Sequence, residues 1–76
     1  MRKYSSGINW RSFEAFLLSH GCVFLRENGQ HRIYSKKGLD RPIVVSRADS
    51  LPWFAVMSNL RSLGLTKKDY EGFVRR

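Results

Sequence analysis

A single cysteine, Cys22, leaves no partner for an internal disulfide, and it provides no second thiol for a zinc site at the usual ligand spacing. Two histidines, His20 and His31, with no cluster of carboxylates around them, do not complete a metal-ligand set either. The expected complement is therefore no metal, in a reducing compartment. No apolar run approaches the roughly 18 residues of a membrane span. The stretch from Met1 to Gly7 is basic and polar, with no hydrophobic segment behind it to make a signal peptide. A cytoplasmic protein without a membrane anchor is expected. There is no glycine-rich phosphate loop, no serine-centred triad motif, no repeat, no linker and no low-complexity segment. Negative charge is also scarce: six Asp and Glu stand against fourteen Lys and Arg, a formal net charge of +8. Such an excess points to a polyanion or an acidic protein as partner, and nucleic acid is the leading candidate.

What is present is enough for a folded domain. With 42% hydrophobic and 13% aromatic residues the chain is too apolar and too patterned for a disordered tail. Its 76 residues make one domain (1–76), with residues 1–8 expected as a flexible basic N-terminus. A chain this short buries only roughly 60% of the surface that its unfolded form exposes, so one modest core is expected.

Asn9 is placed to cap a helix whose apolar positions Trp10, Phe13, Phe16 and Leu17 recur at helical spacing, with Gly21 to end it. An aromatic stripe of that kind reads as core packing. His20, one residue before the glycine, suits a helix C-terminus. Next, Cys22 to Glu27 and Gln30 to Lys36 flank Asn28-Gly29, a dipeptide suited to a type I′ hairpin. Arg41-Pro42-Ile43-Val44-Val45-Ser46 supplies a third strand, its early proline fitting an edge. Asp49 or Ser50 is expected to cap a second helix with Pro52 in its first turn and Trp53, Val56, Leu60 and Leu63 on its apolar face. Gly64 stops that helix. Thr66-Lys67-Lys68-Asp69 has the form of a capping box opening a short last helix that carries Tyr70, Phe73 and Val74. The fold class is α+β, ordered α-β-β-β-α(-α): a two-layer domain whose three-stranded antiparallel meander has helices on one face.

A type I′ turn at Asn28-Gly29 pairs Glu27 with Gln30, Arg26 with His31, Phe24 with Ile33 and Cys22 with Ser35. Cys22, Phe24 and Ile33, sharing a face with Arg26 and His31, then form the slightly better core candidate. The opposing set is Val23, Leu25 and Tyr34 with Glu27, Gln30, Arg32 and Lys36. In either arrangement His31 lies at the turn end of the sheet, within reach of solvent. Beside Arg26 its imidazole would be held neutral next to a phosphate-binding guanidinium, which suits a general base.

Over Trp10 to Val74 the chain resembles the HicA toxins, small mRNA interferases of bacterial and archaeal toxin-antitoxin pairs. The resemblance is carried by a first helix running into HGCVFLRENGQH, the strand HRIY, the strand PIVVS and the ending LRSLGLTKKDYEGF. It implies a double-stranded-RNA-binding-domain-like fold, with the histidine after a glycine-plus-small-residue pair as the catalytic residue. That position is His31. The usual Gly-Ser-His or Gly-Thr-His reads Gly29-Gln30-His31 here, so glutamine replaces the hydroxyl residue. The resemblance also implies activity without a metal or small-molecule cofactor, an mRNA substrate, and a HicB-like antitoxin as protein partner.

RNA can be cleaved without metal by its own 2′-OH as nucleophile, given a base for the proton and cations for the charge on phosphorus. His31 is the expected base or acid. Arg26, Gln30, Arg32, Lys36, Lys37 and Arg47 are the expected RNA contacts. Trp53 and Phe54 are candidates for the antitoxin contact, with core packing an equal reading for Trp53. The alternative function is a non-catalytic double-stranded RNA binder. Such domains place lysines at the start of the last helix, where this chain has Ser50-Leu51-Pro52-Trp53-Phe54. A pure protein-interaction module docking on an acidic partner is the third reading.

Overall fold

Asn9 starts the first helix as its side chain predicts: Oδ1 accepts the N–H of Ser12 at 2.9 Å, satisfying one of the open donors of the first turn. The computed structural model describes residues 6–75. The elements run α1 (Trp10–Ser19), β1 (Val23–Asn28), β2 (His31–Ser35), β3 (Ile43–Ser46), α2 (Trp53–Leu63) and α3 (Lys67–Val74). The strands form one antiparallel sheet ordered β1-β2-β3, with β2 in the centre. This is the expected α+β meander with its helices on one face. None of the helices among the described residues is long and apolar enough to cross a membrane.

One core joins the two layers. Phe13, Phe16 and Leu17 of α1, Val56 and Leu60 of α2 and Tyr70 of α3 close over Tyr34, Ile43 and Val45 of the sheet, with Cys22 and Leu51 at the margins. Phe16 is its hub: its ring meets Tyr70 at 5.2 Å, Phe73 at 5.5 Å and Phe13 at 6.1 Å, the first two edge-on. The aromatic stripe of α1 is thus packing. Trp53 is half-buried against the same core, while Phe54 next to it is 75% exposed. Val74 also faces outward.

Local chemistry accounts for the element ends. At α3 the capping box forms in full, Thr66 Oγ1 accepting from the Asp69 N–H at 3.2 Å and Asp69 Oδ2 from the Thr66 N–H at 2.7 Å. Those bonds, the backbone one first, hold the Asp69 carboxyl below its ordinary range. Gly64 ends α2 in the left-handed region at φ +72°. The start of α2 differs from expectation, because neither Asp49 nor Ser50 caps it. Pro52 occupies the cap position with no side-chain hydrogen bond, and Ser50 Oγ instead accepts the N–H of Gly7 at 2.9 Å. Ser6 and Ile8 bond to Leu51 on either side of it, at 2.9 and 2.8 Å. Residues 6–8 of the stretch expected to be flexible are therefore hydrogen-bonded to residues 50 and 51. Residues 1–5 lie outside the described residues.

The hairpin also departs from expectation, by one residue at the turn and by two in the pairing sum. The loop is Gly29-Gln30, closed by Asn28 opposite His31, with Glu27 opposite Arg32 and Arg26 opposite Ile33. Beyond that, Leu25 is an extra residue in a bulge, and the ladder continues with Phe24 opposite Tyr34 and Val23 opposite Ser35. The reason lies in backbone preference. A type I′ turn at Asn28-Gly29 needs positive φ at both residues, whereas among the described residues only glycines take it. Gly29, at φ +62°, sits at the first central position, as a type II′ loop requires.

The turn shift keeps Arg26, His31 and Ile33 on one face, as expected, and the bulge at Leu25 moves Phe24 to the side of Tyr34. The core side of β2 is Arg32 and Tyr34, opposite Val45 and Ile43 of β3. The expected core set of Cys22, Phe24 and Ile33 is split: Cys22 is buried in the core, Phe24 lies exposed and edge-on to Tyr34 at 5.7 Å, and Ile33, buried as expected, belongs to the other face.

Candidate functional site

The sheet face that carries His31 packs none of the three helices. Alternation along β2 puts His31, Ile33 and Ser35 on it, and pairing adds their neighbours from the outer strands. The row nearest the turn is Asn28, His31 and Ser46; the next is Arg26, Ile33 and Val44. Val23 opposite Ser35 follows. Val23 and Val44 are 57% and 44% exposed, and His31 is exposed as well. One end of this open face is a polar row of amide, imidazole and hydroxyl. Behind it lies an apolar strip with a single cation beside it.

That cation is Arg26. It is not directly opposite His31 as expected, because the shifted register pairs it with Ile33. It becomes the diagonal neighbour of His31 on the same face, a separation of about 7–8 Å that a long side chain spans. Neither Arg26 nor His31 makes a side-chain hydrogen bond or ion pair with another described residue. The imidazole of His31 and the guanidinium of Arg26 are thus both open to a ligand on this face.

The remaining expected contacts are distributed elsewhere. Arg32 projects to the helix-covered side, where its Nε and one terminal nitrogen donate to Glu14 Oε2 at 3.0 and 2.8 Å and the other to Glu27 Oε1 at 2.7 Å. Its guanidinium also lies 4.0 Å from the Phe24 ring centroid and 5.0 Å from that of Trp10. Glu27 Oε2 accepts from Arg47 at 2.8 Å, and the Arg47 guanidinium lies 5.7 Å from the centroid of the same Trp10 ring. Two of the six expected contacts are therefore tied into an ion network on the far side of the sheet from His31. Gln30 is exposed in the loop, and its carbonyl accepts the N–H of Arg47 at 2.8 Å. Lys36 and Lys37 follow the other end of β2. Five residues from His31 at a strand rise near 3.3 Å puts Lys36 about 16 Å away.

The network has its own electrostatics. Tyr34 OH donates to Glu14 Oε2 at 2.5 Å and accepts from Arg32 Nε at 3.2 Å. Burial, followed by the bond to the Glu14 carboxylate, pushes the phenol up to about 12. Elsewhere, burial raises the Cys22 thiol, with Lys36 partly opposing it; Cys22 is a core thiol. His20 terminates α1, its backbone N–H donating to the Leu17 carbonyl at 3.0 Å and its ring lying edge-on to Phe16 at 4.6 Å. It is remote in role from the polar row. Among the described residues no group of three His, Cys, Asp or Glu is placed to hold a metal ion.

Reasoning from sequence missed four residues here. Asn28 and Ser46 flank His31, and Glu14 and Trp10 hold Arg32. Asn28 was within reach, since counting the hairpin from Gly29 at the first central position of a type II′ loop puts it opposite His31, whereas Ser46 depends on how β3 pairs with β2. The other two depend on how α1 crosses the sheet, for which the chain carries no local signal. In comparison with known proteins, the chain matches no family model and no curated protein.

Proposed function

We propose that this protein is a metal-independent endoribonuclease of the HicA type, with His31 as its proton-transfer group. The observation that carries the reading is the exposed imidazole in a polar row on an uncovered sheet face, with Arg26 diagonal to it on that face. On an RNA strand laid across the row, the imidazole takes the proton of a 2′-OH. The 2′-oxygen then bonds to phosphorus and the bond to the 5′-oxygen breaks. A 2′,3′-cyclic phosphate remains on one fragment, and the leaving oxygen takes up a proton to become a hydroxyl on the other. Arg26 offers charge to the non-bridging oxygens as negative charge builds on them. Arg26 and the residues of the polar row form the site; Lys37, beyond the other end of β2, meets a backbone phosphate further along the strand, while Lys36 reaches toward Gly21 and Cys22. Arg32 and Arg47 have carboxylate partners already, and the expected role in RNA contact passes from them to Arg26.

The net charge of +8 favours a polyanionic substrate, and the resemblance to the HicA toxins supplies the mRNA target, the cytoplasmic setting and neutralisation by a HicB-like antitoxin. An antitoxin that covers the open face would shield His31. The test uses purified protein on a synthetic RNA and on the same strand with 2′-O-methyl groups, in the presence of EDTA. Cleavage of the RNA only, with cyclic-phosphate ends and complete loss in His31→Ala, is the expected result. Duplex RNA binding without cleavage would replace this reading by the non-catalytic one.

A further inference from the structure

The position opposite His31 on β3 is Ser46. The N–H of Arg47 donates to the carbonyl of Gln30 at 2.8 Å, a bond linking the residues just outside the His31 and Ser46 pair. In an antiparallel ladder that bond identifies the enclosed pair as the non-hydrogen-bonded kind, whose Cα atoms stand about 4.5 Å apart and whose side chains lie closer than in the alternate pairs. Both side chains point to the open face. The backbone of Ser46 is held on each side: the following N–H is the one bound by Gln30, and its own carbonyl accepts from Ala48 at 2.9 Å. Ser46 is half-buried, and its hydroxyl makes no side-chain hydrogen bond with a described residue.

We propose that Ser46 is the positioning residue of His31: its hydroxyl accepts the N–H of one imidazole nitrogen and so fixes which nitrogen faces the RNA as the base. A serine hydroxyl is both donor and acceptor, and it needs no charge to hold a neutral ring. Gln30 lies in the loop, outside the His31 and Ser46 pair. The inference rests on the reading of His31 as the proton-transfer group.

The test compares Ser46→Ala, Ser46→Thr and Asn28→Ala. One readout is the ¹⁵N shifts of the His31 ring at a pH where it is neutral, which report the tautomer without RNA; the other is kcat and KM on the synthetic RNA. Ser46→Ala is expected to move the ring from one dominant tautomer toward a mixture. It should lower kcat about 3- to 10-fold, the range one net hydrogen bond is worth, with KM unchanged, while Ser46→Thr restores both. Unaltered ring shifts and kcat in Ser46→Ala, or a tautomer change confined to Asn28→Ala, overturn the inference and leave the nuclease reading standing. A tautomer change in Ser46→Ala beside a wild-type protein that cuts no RNA sustains the contact and overturns the nuclease reading instead.

Discussion

Removing one oxygen atom, in Tyr34→Phe, probes the network that draws Arg32 away from the open face. The Tyr34 ring is fully buried, so the substitution leaves its packing against Phe24 and the core intact. What disappears is the donor to Glu14 Oε2 at 2.5 Å and the acceptor for Arg32 Nε at 3.2 Å. A hydrogen bond to a charged group is worth about 1.5–3 kcal/mol net, so a loss of about 2 kcal/mol is expected. Against a total stability of roughly 4–11 kcal/mol for a chain of this size, that is a large fraction. At about 4–8 °C per kcal/mol it lowers Tm by roughly 8–16 °C. Urea unfolding followed by circular dichroism measures it directly. The wild-type titration supplies a second check. The phenol pKa is about 12 in the folded state against 10.0 ordinarily, so the native protein holds this proton more tightly than the unfolded chain. Its contribution is complete below pH 10 and is lost as pH rises from 10 through 12. Tyr34→Phe removes that part of the alkaline slope. A change under about 0.5 kcal/mol together with an unaltered slope would refute the assignment of the hydroxyl to a strong, buried bond.

Four further substitutions test the same geometry. Gly29→Ala puts a side chain at φ +62° with open space around it, so the cost is conformational, about 1–2 kcal/mol by chemical unfolding. Arg26→Ala lowers the slope of log affinity for single-stranded RNA against log salt by about 0.7, one phosphate contact. Arg47→Ala leaves that slope unchanged, since Glu27 already neutralises it; equal slopes for the two variants would contradict the split placement of the cations. Thr66→Ala removes the side-chain half of the capping box at α3 and costs about 1 kcal/mol in thermal unfolding, with the sheet's amide spectrum unperturbed.

Elements whose signals are local were legible in the chain. Asn9 before an apolar 3.6-residue repeat marked α1, Thr66 and Asp69 marked the start of α3, and Gly64 marked the end of α2, because each acts on backbone groups within a few residues of itself. The three strands and their meander order followed from the same kind of signal. Reading failed where two local preferences competed. Asn28-Gly29 and Gly29-Gln30 both form two-residue loops, and the choice between them shifts every pair in the hairpin; the bulge at Leu25 then shifts the far half again. The start of α2 failed for another reason, since Ser50 is drawn to the Gly7 N–H by a contact 43 residues away.

His31 was singled out through the resemblance to the HicA toxins, and the solvent access expected from its place at the turn end of the sheet is observed. The sharing of its face by Arg26, with Arg32 on the other, was legible too, from alternation along the hairpin; which of the two faces the helices cover was not, nor that Glu14 of α1 and Glu27 of β1 hold Arg32 there. The sequence alone determined the α+β order, the charge and the imidazole, through residue types acting on their own surroundings. Tertiary structure decided which sheet face the helices cover, which carboxylates hold Arg32 and Arg47, and which hydroxyl lies opposite the imidazole, because helix packing and the pairing of β3 join residues far apart in the chain.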